Sequence, residues 1–323
     1  MSAPAATMRV LGRRKLGDRL GDWILYGLTG GAAVFTMLIV ALLAYKLVEQ
    51  AWPAISKYGL AFLWSRAWDP VRSHFGALDF IFGTFYTSFF ALLIAAPLSI
   101  AIALFLSELA PRGVRGVVGA LVEMLAAIPS VVIGLWGIFV LGPIVSHDLE
   151  PFLHRTLGFL PFFSGEPSPT GTGLMTASIV LAIMIIPISA SIARELFLSV
   201  PQELEDGALA LGMTRWEMIR GVVLPYTRGG VSAAIILGLG RAVGEAIAVM
   251  QVIGGTLGIH LSLFQGGDTL ASRIAGQYQG AVSNLHIASL VYLAVILLAI
   301  SLVVNLAAQL IVRRFEFQRT GGS

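Results

Sequence analysis

Six stretches of this chain carry no Asp, Glu, Lys or Arg: residues 23–45, 80–107, 124–146, 167–193, 246–267 and 274–312. A hydrocarbon core about 30 Å thick needs roughly 20 helical residues to cross it, and each stretch is long enough. None shows the period-2 alternation of barrel strands, and lipid admits only helices or closed barrels as spanning structures. Composition agrees: 57% of residues are hydrophobic and 12% charged, with a mean hydropathy of +0.85, far from the balance of a soluble domain. The chain therefore reads as an all-α integral membrane protein with six transmembrane helices. The fifth is extended back to about residue 229, across Arg241 and Glu245.

Orientation follows from the bias of Lys and Arg toward cytoplasmic segments. With the N-terminus inside, the cytoplasmic segments hold Arg9, Arg13, Arg14, Lys15, Arg19, Arg112, Arg115, Arg194, Arg215, Arg220, Arg228, Arg313, Arg314 and Arg319. The outer loops hold only Lys46, Lys57, Arg66, Arg72, Arg155 and Arg273. Both termini are expected in the cytoplasm, with residues 1–22 and 313–323 as tails and 23–312 as the six-span domain. The apolar run after Arg13-Arg14-Lys15 is too long for a usual signal sequence and reads as a retained first span. The net charge of +3 is spread over the cytoplasmic segments, which gives no support to nucleic-acid binding.

The absence of cysteine excludes disulfides and thiolate chemistry. His147 and His154 stand seven apart with no third ligand nearby, so no metal is assigned, and no cofactor is expected. Trp52, Trp64 and Trp68, in the outer loop 46–79, suit the headgroup interface, where amphipathic rings anchor.

Inside the spans, polar residues are the informative ones. Arg241 and Glu245 lie four apart, on one helical face, and can pair. A helix starting near Gly229 brings Arg241 about 18 Å along, close to the bilayer midplane. A charge there costs about 2.5–3.5 kcal/mol on insertion scales, so it faces a bundle interior or a water-filled path. Two readings stand: an anion site, or a self-compensated pair that fixes helix packing through Gly240 and Gly244. Pro129-Ser130 interrupts the third span and frees backbone groups there. Thr87 and Ser88 are further polar candidates on the second span, although such hydroxyls often bond back to their own helix.

Residues 201–228 form a polar island between two spans. Acidic residues open it at Glu203, Glu205 and Asp206, and Arg215 and Arg220 follow, as the helix dipole prefers. Gly212 separates two short helical pieces, and Leu224-Pro225 is expected to end the second. Met213, Trp216, Met218 and Ile219 give that second piece an apolar face suited to a groove on a partner.

Asp206-Gly207-Ala208, Gly212 and Val222-Val223-Leu224-Pro225 resemble the cytoplasmic loop of ABC importer permeases, whose pattern is Glu-Ala-Ala, three residues, Gly, nine residues, Ile, any residue, Leu-Pro. Asp206-Gly207 replaces Glu-Ala and Val222 replaces Ile. The segments Gly83-Thr84-Phe85-Tyr86-Thr87-Ser88, Phe105-Leu106-Ser107-Glu108-Leu109-Ala110-Pro111, Ile128-Pro129-Ser130-Val131-Val132, Gly134-Leu135-Trp136-Gly137 and Gly240-Arg241-Ala242-Val243-Gly244-Glu245 are similar to the C-type permease of the phosphate-transport branch. Ile133, Ala246 and Gln251 depart from it. The resemblance implies an ABC importer permease (MetI-like) bundle with a cytoplasmic coupling helix, in a bacterial inner or plasma membrane. It implies a second homologous permease, two ATP-binding subunits and an external phosphate-binding protein as partners. It further implies that Asp206, Gly207, Ala208, Gly212, Leu224 and Pro225 contact the ATPase, and that Arg241 and Glu245 lie on the substrate path; Trp216 is expected at the same contact, and Ser130 and Thr87 on the same path.

A phosphate-cradling P-loop needs Gly-Lys followed by Ser or Thr. Lys15, Lys46 and Lys57 precede Leu16, Leu47 and Tyr58, so the nucleotide-hydrolysing motor is expected on a partner. Phosphate is expected as the cargo. A permease for molybdate, sulfate or a phosphonate, or an ion-gradient-driven anion carrier, stays open as an alternative.

Overall fold

The computed structural model describes residues 16–320, and the chain divides into two compact units, Met1–Glu49 and Gln50–Ser323. Arg9, Arg13, Arg14 and Lys15 lie outside the described residues. Helix α1 (Leu16–Tyr58) supplies the first unit and opens the second. Its middle, residues 23–45, is an uncharged sequence in which Thr29 and Thr36 return their hydroxyls to the carbonyls of Leu25 and Ala32. Such back-bonding leaves no polar group for lipid to solvate.

In the second unit, a two-stranded hairpin of β1 (Trp68–Asp69) and β2 (His74–Phe75) precedes α2 (Leu78–Leu104). Trp68 does not anchor at an interface as expected. It is 7% exposed, edge-on to Phe75 and Phe80, and its indole N–H donates to Gln277 Oε1 at 2.8 Å. Trp52 and Trp64 are exposed.

Helix α3 (Arg112–Ala126) is separate from the third span, which starts only at Ser130. That span joins α4 (Ser130–Trp136), α5 (Gly142–Ile144) and α6 (Glu150–Leu157) through two π-helical turns. Pro129 explains the break, since it has no N–H to donate and disfavours helical backbone before it. Helix α7 (Leu174–Leu198) is the most enclosed element, packed on α2 through small residues such as Ala91, Ala95, Ala177 and Ala182. Small side chains allow the close backbone approach that holds membrane helices together.

After α7 come α8 (Gln202–Ala210), α9 (Arg215–Met218) and α10 (Leu224–Gly244). A π-helical turn over Ile219–Val223 fuses α9 to α10. Leu224-Pro225 therefore does not end a helix. Pro225 lacks the N–H that a regular turn would use, and the wider turn just before it absorbs the defect. Helix α10 packs on α7 at Gly230, whose missing side chain makes room for Leu196, and at Gly238, which makes room for Ile185.

Helix α11 (Ile247–Val252), α12 (Leu270–Gln277) and α13 (Asn284–Thr320) complete the chain. The stretch 246–267 is not a span: after α11 it runs as non-helical backbone with left-handed Gly254, Gly255 and Gly258. Its Val252, Leu263 and Gln265 carbonyls accept from the N–H groups of Gly173, Met175 and Leu174. These donors would otherwise be orphaned at the start of α7. Six helical segments remain long and apolar enough to cross a membrane, the fifth being Arg215–Gly244 and the sixth Asn284–Ala307.

Candidate functional site

The polar island folds back on the helices of the second unit. Ala208 of α8 is buried with Ala103, Phe197, Val200, Met218, Ile219 and Val223 in one apolar cluster. Met218 and Ile219 are each 4% exposed, so the expectation that they wait for a partner fails; the chain buries them itself. What stays exposed is Leu204, Leu209, Leu211, Met213 and Trp216, with Leu211 at 87% and Trp216 at 64%. Asp206 and Gly207 are exposed beside them. Partial burial and the neighbouring charges of Glu108 and Asp206 push the Glu205 carboxyl above its usual range.

The turn between α8 and α9 is built from two caps. Gly212 takes φ +86°, its N–H donates to Leu209 O at 3.0 Å, and the Met213 N–H reaches Ala208 O at 3.3 Å. This paired arrangement satisfies the last carbonyls of α8. Thr214 then starts α9: its hydroxyl accepts from the Glu217 N–H, and Glu217 Oε2 accepts from the Thr214 N–H at 2.8 Å. Two locally encoded caps thus hold Trp216 outward on a rigid corner.

A second region lies where α10 stops. Glu245 leaves the helix with extended backbone, φ −72° and ψ 122°, and α11 begins two residues later. The expected Arg241–Glu245 pair does not form, because the break removes the i,i+4 geometry on which it depended. Glu245 Oε1 instead accepts from the Ala248 N–H at 3.4 Å. Arg241 is exposed and has neither hydrogen bond nor ion pair among the described residues. Gly244 has open space where its side chain would be, and Gly240 is only in ordinary contact with Asn305, so this pair of glycines mediates no close packing within the chain.

Ser130, half-buried, is the first residue of α4. Helix α4 lies against α11: a Cβ on Gly134 would fall 2.9 Å from Ala248 Cα and 3.0 Å from Gln251 Cδ, and one on Gly137 would fall 2.8 Å from Val252. The order of these contacts means that the two helices run side by side in the same direction. Ser130 and the Glu245 break therefore sit at their common starting end. Thr87 is not brought there: it is 1% exposed and its hydroxyl donates to Gly83 O at 2.8 Å. The neighbouring Ser88 hydroxyl is buried without a partner.

Sequence reasoning missed a third cluster. Asp268 and Arg273 pair at 2.7 Å with side chains 7% and 8% exposed. Arg273 also donates to Gly255 O and lies over the Phe80 ring. Asp79 accepts from the Gly258 N–H at 2.8 Å, and the Thr84 hydroxyl accepts from the Leu270 N–H. Together these contacts fasten the glycine-rich stretch to α2. The available signal was chemical: three carboxylate or guanidinium groups flank glycines next to a span.

Residues 99–317 match the family described as binding-protein-dependent transport system inner membrane component. The chain is 45% identical over 286 residues to the phosphate transport system permease protein PstC of Pasteurella multocida, covering 88% of this chain and 89% of that one. To the protein of the same name from Mesorhizobium japonicum it is 42% identical over 306 residues, 94% and 93% of the two chains. Among solved structures, a chain of a bacterial alginate ABC transporter, in complex with an alginate-bound periplasmic protein, superposes with a TM-score of 0.56 at 19% identity, over 94% of this chain and 98% of that one. A chain of the inward-facing MetNI methionine ABC transporter gives 0.50 at 23% identity, over 76% and 95%. These two show the shared fold.

Proposed function

Because the chain belongs to the binding-protein-dependent transport system inner membrane components, as a PstC-like phosphate permease of the ABC importer class, we propose that it forms half of a transmembrane path for inorganic phosphate. The observation that carries this reading is Arg241, exposed and unpaired near the end of a helix that stops within the membrane. Counted from Arg228, the last charged residue before the apolar part of this helix, the rise to Gly244 is about 24 Å, short of a core about 30 Å thick. A guanidinium at that depth avoids hydrocarbon only against protein or water, and irregular backbone there is tolerated only under the same condition. The face bearing Arg241 and Gly244 is therefore assigned to a second, homologous permease across a water-filled path. Arg241 attracts the anion, Ser130 offers it a hydroxyl, and Glu245, whose carboxylate turns to Ala248, bounds the site with opposite charge. Thr87 is left out of the path.

Energy arrives from two ATP-binding subunits that grip the exposed corner: Asp206, Gly207, Gly212 and Trp216, with Leu211 and Met213 beside them. Ala208, Leu224 and Pro225 act from behind, by seating that corner on the cluster beneath it. The fusion of α9 to α10 supports a direct lever, since Trp216 and Arg241 lie on one helix of 30 residues. A push on the corner tilts the anion site through the π-helical turn and Pro225, with no non-helical residue between. Both termini lie in the cytoplasm, and a phosphate-binding protein delivers the anion from the other side. The test is Arg241→Gln in the assembled complex: phosphate uptake is lost while the subunits still co-purify. Uptake equal to that of the unaltered complex refutes the assignment.

A further inference from the structure

Gln251 lies one turn beyond Ala248 on α11, against Gly134 of α4, with its amide nitrogen 3.1 Å from where a Gly134 side chain would start. The surrounding buried side chains are apolar: Ile133, Ala248, Val249 and Val252. The Gln251 amide oxygen is enclosed and meets no donor, and among the described residues the amide nitrogen has no acceptor either. Gln251 as a whole is half-buried, but an enclosed amide oxygen without a donor lowers stability, and a hydrophobic residue of similar shape would serve packing at least as well. Gly134 deepens the point, since its lack of a side chain is what gives the amide its place.

We infer that Gln251 is a further residue of the transport path, whose amide hydrogen-bonds the phosphate about one turn beyond the Glu245 break. The inference rests on the path proposed above. Its chemistry is specific to a partly protonated oxyanion. Near neutral pH, phosphate presents bare oxygens that accept hydrogen bonds and at least one P–OH that donates one. An amide answers either group by turning about its terminal bond, whereas a carboxylate or an ammonium answers one only. An uncharged ligand also holds the anion without trapping it, as passage through a site requires.

The experiment uses the complete complex, reconstituted in vesicles with its ATP-binding subunits, second permease and binding protein, and measures uptake of radiolabelled phosphate. Gln251→Met removes the amide at nearly constant size. Its melting temperature stays level or rises, because an unpaired polar group has gone, while kcat/KM for uptake falls about tenfold or more, the scale of a hydrogen bond to a charged ligand. A purely structural amide gives the reverse: a lower melting temperature and unaltered uptake per assembled complex, which overturns the inference. Gln251→Glu keeps the shape and adds a repelling charge. It must assemble and lose uptake, and it decides the matter if the Met variant does not assemble; normal uptake overturns the inference. Arg241→Gln separates the two levels. Lost uptake there with normal uptake in both Gln251 variants removes Gln251 alone from the path, whereas normal uptake in all three variants removes the path as well.

Discussion

Gly212 isolates one physical effect with little else mixed in. It sits at φ +86° between α8 and α9, and a side chain placed on it would meet nothing within 4 Å. Substitution there carries no steric cost from neighbours, only that of left-handed backbone, about 1–2 kcal/mol for an L residue with a Cβ. Asn tolerates this conformation better than Ala, although it is larger. The expected order of stability is therefore Gly212, then Gly212→Asn, then Gly212→Ala, the inverse of what side-chain volume would suggest. The penalty falls on the corner, because the Gly212 and Met213 amides close the end of α8. In the assembled complex or in detergent, hydrogen exchange at these two amides is expected to speed up about 5–30-fold in Gly212→Ala, the population change that 1–2 kcal/mol produces. Amides in the middle of α7 keep their protection. An Ala variant with unaltered exchange at Gly212 and Met213, or an Asn variant faster than Ala, refutes the argument from backbone conformation.

Two further outcomes are expected. Trp216→Ala, at a side chain 64% exposed, leaves folding stability within about 0.5 kcal/mol but reduces co-purification with the ATP-binding subunits; retention of all of them refutes its role in docking. Asp268→Asn or Arg273→Met strands one member of a buried pair, at a cost of about 3–5 kcal/mol. The double variant recovers part of it, whereas Glu49→Gln, whose partner Lys46 is also half exposed, changes the melting temperature little.

The features legible in the sequence are those that local chemistry decides. Uncharged stretches located five of the six spans, the left-handed Gly212 separated α8 from α9, and Pro129 marked a break because a missing N–H acts wherever it stands. Where tertiary contacts decide, the reading failed. Nothing in Gly244-Glu245-Ala246-Ile247 forbids a helix, and the break there became visible only with α4 packed beside α11. Residues 253–267 are apolar and free of proline, so they resembled a span; their five glycines were the warning, and the donors they satisfy belong to α7, far away in the chain. Met218 and Ile219 showed the right periodicity, but periodicity cannot say whether the covering surface belongs to the same chain. Trp68 misled in the same way, being an interfacial residue type that found its indole partner in Gln277.

The π-helical turn before Pro225 has a consequence for phase. Such a turn holds one residue more than a regular one, and one residue corresponds to about 100° of rotation about the helix axis. Every side chain beyond it, Arg241 included, is therefore turned by that angle relative to Trp216, compared with an unbroken helix of regular pitch. A regular turn in place of the wide one at Ile219–Val223, with no residue lost, would leave a sound helix with its guanidinium aimed at a different neighbour, whereas loss of one residue there would restore the regular turn and keep the present bearing. In the first case the distance between Trp216 and Arg241 would scarcely change; the bearing would.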